Sequence, residues 1–266
     1  QVKSAVLLAG MYARGRTTVI EPAPSRDHTE RMMATFGYPV HREGNRVSVE
    51  GGGRLNAVPI DVPADISSAA FFMVGAAIAP GSDVTLRGVG LNPTRDGVIS
   101  LLRLMGANVT LENERHVGKE PVADVRVRAS RLHGIEVPVA LVPLAIDEFP
   151  ALFVAAACAQ GRTVLTGAQE LRVKESDRIT VMADGLRALG VHAEPTADGI
   201  VIEGGPLRGG RVDSDGDHRI AMAFAMAAMR ASGPVAITDC GNIETSFPGF
   251  ATLARGAGLD VSEAWS

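Results

Sequence analysis

The sequence predicts an α/β fold in which one mixed unit of helices and strands occurs four times. Each unit begins with an apolar, small-residue helix that runs to a glycine and leads into a β-branched strand. A turn, a second helix and a short closing phrase built on another glycine follow the strand. Glycine is favoured at left-handed helix ends, and Val, Ile and Thr are favoured in strands. Any α/β protein shows one or two such runs, whereas four with the same closing phrase indicate a repeated supersecondary unit.

The elements follow in chain order from these signals. First helices and the strands after them are predicted at 4–15 and 17–20, 67–81 and 84–86, 149–161 and 163–165, and 219–233 and 235–237. Second helices are predicted to begin near residues 26, 93, 174 and 246, with closing phrases at 36–40, 105–109, 189–193 and 257–261. Because the first helices are apolar on nearly all sides, we expect them to be buried between layers.

The composition of the chain argues against several classes of partner and location. The 266 residues are 46% apolar, which is enough for one large or two modest domains. The net charge is only −4 and the two signs are well mixed, so neither a nucleic-acid nor a membrane partner is predicted. The longest apolar runs are too short to cross a bilayer and no secretory leader opens the chain, so we expect a cytoplasmic protein.

Motifs for several common chemistries are missing from the sequence. The 2 cysteines and 6 histidines lack metal-ligand spacing, so no metal site is predicted. The glycine run at 51–53 lacks the Lys-Ser/Thr of a Walker loop, and no Gly-x-Ser-x-Gly elbow occurs. The sequence therefore does not favour nucleotide hydrolysis or serine-esterase chemistry. We also expect no bound cofactor.

Charged residues collect where helices are predicted to start. Cations stand at the starts of four helices, namely Arg26, Arg95, Lys174 with Arg178, and His218 with Arg219. Helix N-termini favour anions, so cations placed there oppose the helix dipole and cost some stability. These cations would be explained if they all face one ligand with several negative charges, such as a phosphate and a carboxylate. For each arginine singly, and for the run RVKESDRI at 172–179, the alternative is a solvated helix start with internal ion pairs.

Two carboxylates in such a cleft need a separate explanation. Asp147 and Glu175 would repel an anionic ligand unless they move protons. Nearby cations would keep Asp147 ionised as a base, whereas partial burial would favour the protonated form of Glu175 as a proton donor. The alternative for Asp147 is a helix N-cap, the commoner role for an Asp just before an apolar helix.

Six stretches of this sequence closely resemble the 5-enolpyruvylshikimate-3-phosphate synthase family. They are LRVKESDR at 171–178, DHRIAM at 217–222, IDEFP at 146–150, QVKSA at 1–5, SRDHTE at 25–30 and TSFP at 245–248. The sequences SRDHTE and TSFP are similar to those of the bacterial class II branch, which is often insensitive to glyphosate. Thr245 stands where many members carry a lysine that contacts phosphoenolpyruvate.

The resemblance implies the enolpyruvyl transferase fold, an inside-out α/β barrel with two domains of three units each. The implied reaction transfers the enolpyruvyl group of phosphoenolpyruvate to the 5-hydroxyl of shikimate 3-phosphate and releases phosphate. It proceeds by addition and elimination through a tetrahedral intermediate, in a cleft where helix N-termini meet. Both substrates carry several negative charges, as the charged helix starts require.

The resemblance also implies three catalytic residues. Asp147 matches the base at the 5-hydroxyl, and Lys174 contacts shikimate 3-phosphate near that hydroxyl. Glu175 matches the residue proposed to shuttle a proton at the enolpyruvyl methylene.

Five further residues match substrate ligands of the family. Arg178 and Arg219 match the pair that grips phosphoenolpyruvate, with His218 beside them. Gln1 matches a residue between the two substrates, and Arg26 falls where the phosphate of shikimate 3-phosphate is held.

The family has six units, and this sequence shows four. Residues 1–62 are therefore predicted to be the last unit of an incomplete N-terminal domain, and 63–266 a C-terminal domain of three units. We expect the chain by itself to be inactive, and to self-associate or to bind the missing N-terminal segment as a separate chain. Two alternatives stay open at this point. One is the related UDP-N-acetylglucosamine enolpyruvyl transferase, and the other is a silent module that binds phosphorylated ligands or complements a separate N-terminal piece.

Overall fold

The computed structural model describes residues 1–22 and 25–262, and its helices and strands fall into the four predicted units. The first unit contains α1 (Val2–Gly10), β1 (Arg16–Ile20), α2 (His28–Thr35), β2 (Val40–Glu43) and β3 (Arg46–Glu50). The second contains α3 (Ile66–Ile78), β4 (Asp83–Gly90), α4 (Gly97–Leu104), β5 (Asn108–Val117) and β6 (Glu120–Arg128). No helix in the described ranges is long and apolar enough to span a membrane.

The third unit has the same order of helices and strands, whereas the fourth begins with a strand and ends, within the described residues, with two helices. The third contains α5 (Phe149–Ala157), β7 (Arg162–Leu165), α6 (Arg178–Ala188), β8 (His192–Pro195) and β9 (Ile200–Glu203). The fourth contains β10 (Gly210–Asp213), α7 (His218–Ala227), β11 (Val235–Thr238), α8 (Ile243–Ser246) and α9 (Phe250–Gly256). Short 3₁₀ helices lie at Val139–Leu141, Pro143–Ala145 and Gln169–Val173.

The sheets repeat one topology. In each of the first three units the third strand lies between the first and the second and pairs antiparallel with both. The chain just before each of the three later buried helices runs parallel to the strand that follows the helix. The pairs are Ala64 with Val89, Glu136 with Val164, and β10 with β11. Each of these is a parallel crossover closed by a helix, which explains why helix and strand alternate in the sequence.

The closing phrases have one structural role. A glycine with positive φ follows the end of each second helix; these are Gly37 (φ 76°), Gly106 (φ 87°), Gly190 (φ 87°) and Gly258 (φ 100°). This left-handed conformation stops the helix, and glycine adopts it without the steric cost that a Cβ brings. The repeated phrase is therefore a helix stop, and the predicted order of parts is confirmed.

Two kinds of helix boundary differ from the sequence prediction: the ends of the four first helices and the start of α6. The first helices end at Gly10, Ile78, Ala157 and Ala227, several residues before the predicted glycines. A turn separates each helix from its glycine, which leads into the strand instead. The helix predicted from residue 174 begins only at Arg178, because a 3₁₀ helix ends at Val173 and an irregular segment follows. Lys174 therefore lies outside α6, and the helix start predicted near residue 174 is wrong.

The core of the three later units lies between their first helices. The helices α3, α5 and α7 pack against one another, and every residue of α5 is buried. The sheets lie outside these helices, so the layers are reversed relative to an ordinary α/β sandwich. This arrangement explains the nearly all-round apolar character of the first helices. It also sets the start of α5 close to the start of α7.

Replacing Phe224 by Ala tests this core. Phe224 on α7 is fully buried, and its ring lies where a Cβ on Gly185 would stand 2.2 Å away. We expect Phe224→Ala to lower the free energy of unfolding by about 3–5 kcal/mol, because the lost ring leaves a cavity. Urea unfolding followed by circular dichroism would measure it. Leu253→Ala is the control because Leu253 is 53% exposed, and equal losses in the two variants would contradict the packing.

A second, smaller core belongs to the first unit. It is formed by Leu7, Met33, Tyr38, Val47 and Val49, and it is separate from the main core. The two cores lie on either side of residue 62, the predicted domain boundary, which stays a prediction. The first unit nevertheless touches the second. Asn92 Nδ2 donates to Asp27 Oδ1 at 2.7 Å, and Arg31 Nη1 donates to the carbonyl oxygen of Lys119 at 2.9 Å.

The first unit also exposes apolar side chains on α1 and just after it. Val2 is 82% exposed and Tyr12 is 91% exposed, and Val6 and Leu8 of the same helix are also exposed. Because contiguous apolar surface promotes association, we expect this chain to self-associate at micromolar concentration. Sedimentation velocity would show species larger than 27.7 kDa, and Val6→Lys with Tyr12→Lys would reduce them. Leu253→Lys, which changes an exposed apolar residue elsewhere, is the control. A monodisperse monomer would contradict this prediction.

Candidate active site

The starts of α5, α6 and α7 bring four of the predicted site residues together. Arg219 Nη1, in the first turn of α7, donates to the carbonyl oxygen of Asp147 at 3.2 Å. Arg178 Nη1, at the first residue of α6, lies 3.7 Å from Asp147 Oδ1. Lys174 Nζ lies 3.4 Å from the same oxygen. Asp147 is therefore the centre of a cationic cluster.

Asp147 is largely buried, and its carboxylate is surrounded by positive charge. It accepts a hydrogen bond from Arg26 of the first unit and forms the ion pairs with Lys174 and Arg178. Burial by itself would raise the pKa of Asp147. The hydrogen bond from Arg26 and the charges of Arg219, Arg26 and Lys174 outweigh burial and hold the pKa well below its ordinary value. The expectation that neighbouring cations keep this carboxylate ionised is confirmed.

The alternative role of Asp147 as a helix cap is wrong. Glu148, not Asp147, occupies the N-cap position of α5, and no side chain caps that helix. The carboxylate of Asp147 instead turns to the cations from the first and third units. Its ion pairs thus explain its position better than helix capping does.

Arg178 is a buried cation with one nitrogen that makes no hydrogen bond among the described residues. Its side chain is 1% exposed, and its Nε donates to Asp217 Oδ2 at 2.7 Å. Its Nη2 donates to Glu175 Oε2 at 2.6 Å, whereas its buried Nη1 has no hydrogen-bond partner among the described residues. A buried donor without a partner costs free energy, so this nitrogen is suited to an acceptor brought by a ligand.

Glu175 does not have the predicted environment. Its side chain is 52% exposed and is held by Arg178 in an ion pair. It lies in the irregular segment before α6, which places it at the surface, and not in a helix against the core. The expectation of partial burial is wrong for this residue. Lys174, in the same segment, also forms an ion pair with Glu170.

His218 and Arg219 occupy the first turn of α7. Burial, and then the charge of Arg219, lower the pKa of His218 below its ordinary value. His218 is therefore neutral at pH 7 and can act as a hydrogen-bond donor without adding charge. The helix start is capped by Asp217, which accepts a hydrogen bond from the backbone nitrogen of Arg219 at 2.8 Å.

The two candidates from the first unit are placed differently. Arg26 reaches Asp147 from a residue 121 positions away, so the cluster joins the first unit to the third. Gln1 is exposed at the start of α1, and its side chain makes no hydrogen bond to the cluster in the described part of the chain. Asp177, within the RVKESDRI run, caps α6 through Thr180 and pairs with Arg172, so it has a structural role.

Sequence reasoning missed the buried polar residues behind the cluster. Ser67 donates to Glu148, a buried carboxyl group whose pKa is raised by burial. Arg95 donates to Ser67 and pairs with Asp65 at 3.2 Å, so it faces these residues and does not join the cations around Asp147. The one sequence signal for Glu148 was its position directly after Asp147. Across the described ranges, no group of His, Cys, Asp and Glu side chains is arranged to hold a metal ion.

Comparison with known proteins decides the family. The model of the family described as EPSP synthase (3-phosphoshikimate 1-carboxyvinyltransferase) matches residues 1–253. The chain belongs to the EPSP synthase family. The family resemblance predicted from the six motifs is confirmed, and those motifs supply most of the residues of the cluster around Asp147.

Relatives of the EPSP synthase family match almost the whole chain. The 3-phosphoshikimate 1-carboxyvinyltransferase of Alkalilimnicola ehrlichii is 70% identical over 263 residues, which are 98% of this chain and 59% of the relative. That of Nitrosococcus oceani is 67% identical over 261 residues, again 98% of this chain and 59% of the relative. The chain thus spans about three-fifths of the length of these relatives.

A solved EPSP synthase has the same fold. The structure from Acinetobacter baumannii superimposes with a TM-score of 0.95 at 59% sequence identity, and it covers 98% of this chain and 61% of the solved one. The enolpyruvyl transferase fold, with its helices inside the sheets, is confirmed for this chain.

Proposed function

We propose that this chain forms a large part of the active site of a 3-phosphoshikimate 1-carboxyvinyltransferase. The reaction transfers the enolpyruvyl group of phosphoenolpyruvate to the 5-hydroxyl of shikimate 3-phosphate and releases phosphate. One observation carries the proposal: a single ionised carboxylate, Asp147, is surrounded by cations contributed by the first, third and fourth units. The relatives from A. ehrlichii and N. oceani are 3-phosphoshikimate 1-carboxyvinyltransferases, which supports the proposal.

Phosphoenolpyruvate would bind to Arg178, Arg219 and His218. Nη1 of Arg178 faces Asp147 and makes no hydrogen bond among the described residues, so an anionic oxygen of this substrate would accept one from it. An arginine presents several donors in one plane, which suits a phosphate or carboxylate group. Neutral His218 adds a donor at the same helix start.

Shikimate 3-phosphate would bind on the other side of Asp147, with Gln1, Arg26 and Lys174 as ligands. Arg26 and Lys174 now pair with Asp147. A phosphate that draws these two cations away would remove part of the charge that lowers the pKa of Asp147. The carboxylate would then bind a proton more strongly when substrate is present, as a general base requires.

Asp147 would accept the proton of the 5-hydroxyl while that oxygen bonds to C2 of phosphoenolpyruvate. Glu175 would supply the proton that converts the methylene carbon C3 into a methyl group. In the elimination, Glu175 would take a proton back from this methyl group as the bond between C2 and the phosphate oxygen breaks. Phosphate leaves with that bonding pair and takes from Asp147 the proton of the 5-hydroxyl, and the enolpyruvyl double bond forms again. Glu175 must leave Arg178 to do this, and its exposed position permits it.

The remaining ligands are proposed to come from outside this chain. The relatives are longer, and the surface of α1 exposes Val2 and Val6. We propose that a polypeptide equivalent to the unmatched part of the relatives, joined to this chain or separate from it, covers this surface and completes the site. We call the assembly of this chain with the unmatched part of the A. ehrlichii relative the complemented protein.

Phosphate release tests the proposed function. The chain alone, the unmatched part alone and the complemented protein are each incubated with both substrates, and free phosphate is measured. We expect release only from the complemented protein, and only when both substrates are present. Folded complemented protein that binds shikimate 3-phosphate without turnover would favour a silent binding module. Turnover with UDP-N-acetylglucosamine, and none with shikimate 3-phosphate, would favour the other enolpyruvyl transferase.

A further inference from the structure

Asp217 joins the two arginines that stand beside Asp147. Its carboxylate is fully buried and lies directly before α7. One oxygen, Oδ2, accepts from Arg178 Nε at 2.7 Å. The other oxygen, Oδ1, accepts from the backbone nitrogen of Arg219 at 2.8 Å and lies 3.4 Å from Arg178 Nη2. One side chain thus contacts the start of α7 and the first residue of α6.

These contacts determine the direction of the Arg178 side chain. A guanidinium group is planar, so fixing Nε and Nη2 also fixes Nη1. Asp217 binds Nε, and Asp217 and Glu175 share Nη2. Nη1 is therefore the remaining nitrogen, and it lies 3.7 Å from Asp147 Oδ1. The rotamer that directs Nη1 toward Asp147 is held before any ligand arrives.

The same carboxylate orients Arg219. By capping α7 it holds the backbone of the first turn, and the side chain of Arg219 leaves from that turn. Arg219 Nη1 then reaches the carbonyl oxygen of Asp147 at 3.2 Å. Burial by itself would raise the pKa of Asp217, but the hydrogen bond and charge of Arg178 outweigh burial and lower it. The carboxylate is therefore ionised.

We propose that Asp217 is the positioning residue that sets the spacing and orientation of Arg178 and Arg219 for one dianionic phosphate ester. This inference rests on the proposed function, in which that ester is phosphoenolpyruvate. Asp217 does not touch the substrate itself. It acts through the two arginines, and its loss should therefore affect the ligand that they bind more than the ligand on the other side of Asp147.

A matched control exists in the same part of the chain. Asp177 caps α6 by accepting from the backbone nitrogen of Thr180 at 3.1 Å, and it pairs with Arg172 at 2.6 Å. Arg172 turns away from the cluster and donates to the carbonyl oxygen of Ala197 at 2.9 Å. Asparagine keeps a side-chain oxygen to cap α6, so Asp177→Asn removes an Asp–Arg pair at a helix start while the side-chain contacts of Arg178 and Arg219 stay in place.

The test compares Asp217→Asn with Asp177→Asn in the complemented protein. Asparagine keeps one oxygen to cap α7 but presents an amide NH₂ in place of the oxygen that accepts from Arg178. We expect Asp217→Asn to raise the KM for phosphoenolpyruvate by about 10- to 100-fold, the usual scale for a hydrogen bond to a charged group. The KM for shikimate 3-phosphate should change less than about twofold, because Arg178 and Arg219 are not the proposed ligands of that substrate. Asp177→Asn should change neither.

Two further measurements separate positioning from stability. The variant Arg178→Ala with Asp217→Asn should be no worse toward phosphoenolpyruvate than Arg178→Ala alone. Asparagine still caps α7 and holds Arg219, and the rest of the effect of Asp217 acts through Arg178. In the unmodified chain, ¹⁵N NMR should show a slowly exchanging arginine Nε–H signal that is lost in Arg178→Lys. Asp217→Asn should shift this signal and speed its exchange.

Several outcomes would overturn the inference. A folded Asp217→Asn variant with unchanged KM for phosphoenolpyruvate would do so, and so would an equal rise for both substrates. If Asp217→Asn does not fold, Asp217→Glu is measured, and absence of a selective rise there counts against the inference. Failure of the proposed function looks different: the complemented protein without substitutions would release no phosphate. The NMR signal would still show whether Asp217 holds Arg178.

Discussion

Asp147→Asn is expected to lower kcat by about two to four orders of magnitude, the usual range for loss of a general base. Asparagine has almost the same shape but does not accept the proton of the 5-hydroxyl. Its substitution also removes a negative charge from the cleft, where Arg26, Lys174 and Arg178 face Asp147. Both anionic substrates should therefore bind as well as before or more tightly. Steady-state kinetics of the complemented protein would show the fall in kcat without a rise in either KM.

The control for this variant is Asp184→Asn. Asp184 is an exposed residue of α6 that pairs with Arg187, so its substitution should leave kcat unchanged. Asp147→Asn does not remove a cap from α5, because no side chain caps that helix. A variant with normal kcat and a lowered melting temperature would mean that Asp147 is structural, and the proposed base would have to be another group.

Arg178→Ala is expected to weaken the use of phosphoenolpyruvate far more than the binding of shikimate 3-phosphate. Truncating one partner of a buried, hydrogen-bonded charge pair typically costs about 2–5 kcal/mol. On that scale kcat/KM for phosphoenolpyruvate should fall by roughly 30-fold to several thousand-fold. The fully buried Asp217 would also lose its ion-pair partner, which should lower the stability of the variant. The affinity for shikimate 3-phosphate, measured by titration calorimetry, should change little.

Arg219→Ala and Arg172→Ala make this comparison sharper. Arg219→Ala removes the second arginine without leaving Asp217 unpaired, so it should show the same selectivity with less loss of stability. Arg172 lies in the same RVKESDRI run but pairs with Asp177 outside the cluster. Arg172→Ala should therefore leave the use of both substrates unchanged. Equal loss of affinity for both substrates in Arg178→Ala and Arg219→Ala would count against their assignment to phosphoenolpyruvate.

The sequence by itself determined the repeated unit and the family. Both rest on local signals: a helix stop such as Gly190 needs a residue free to adopt positive φ, whatever surrounds it. The apolar first helices were recognisable for a similar reason, because burial on all sides removes polar residues from a continuous run. Charged helix starts also identified Asp147, Arg178 and Arg219, although they left open which cations would meet.

Only the tertiary structure decided how these charges pair. Arg178 and Asp217 are 39 residues apart, and Arg26 and Asp147 are 121 apart, so no local pattern connects them. Arg95 had the same sequence signal as Arg178, yet it turns to Ser67. Glu175 was expected to be partly buried and is exposed, because α6 begins three residues after it. Local propensity determines where a helix can start, whereas packing between distant units determines which carboxylate forms an ion pair with each buried cation.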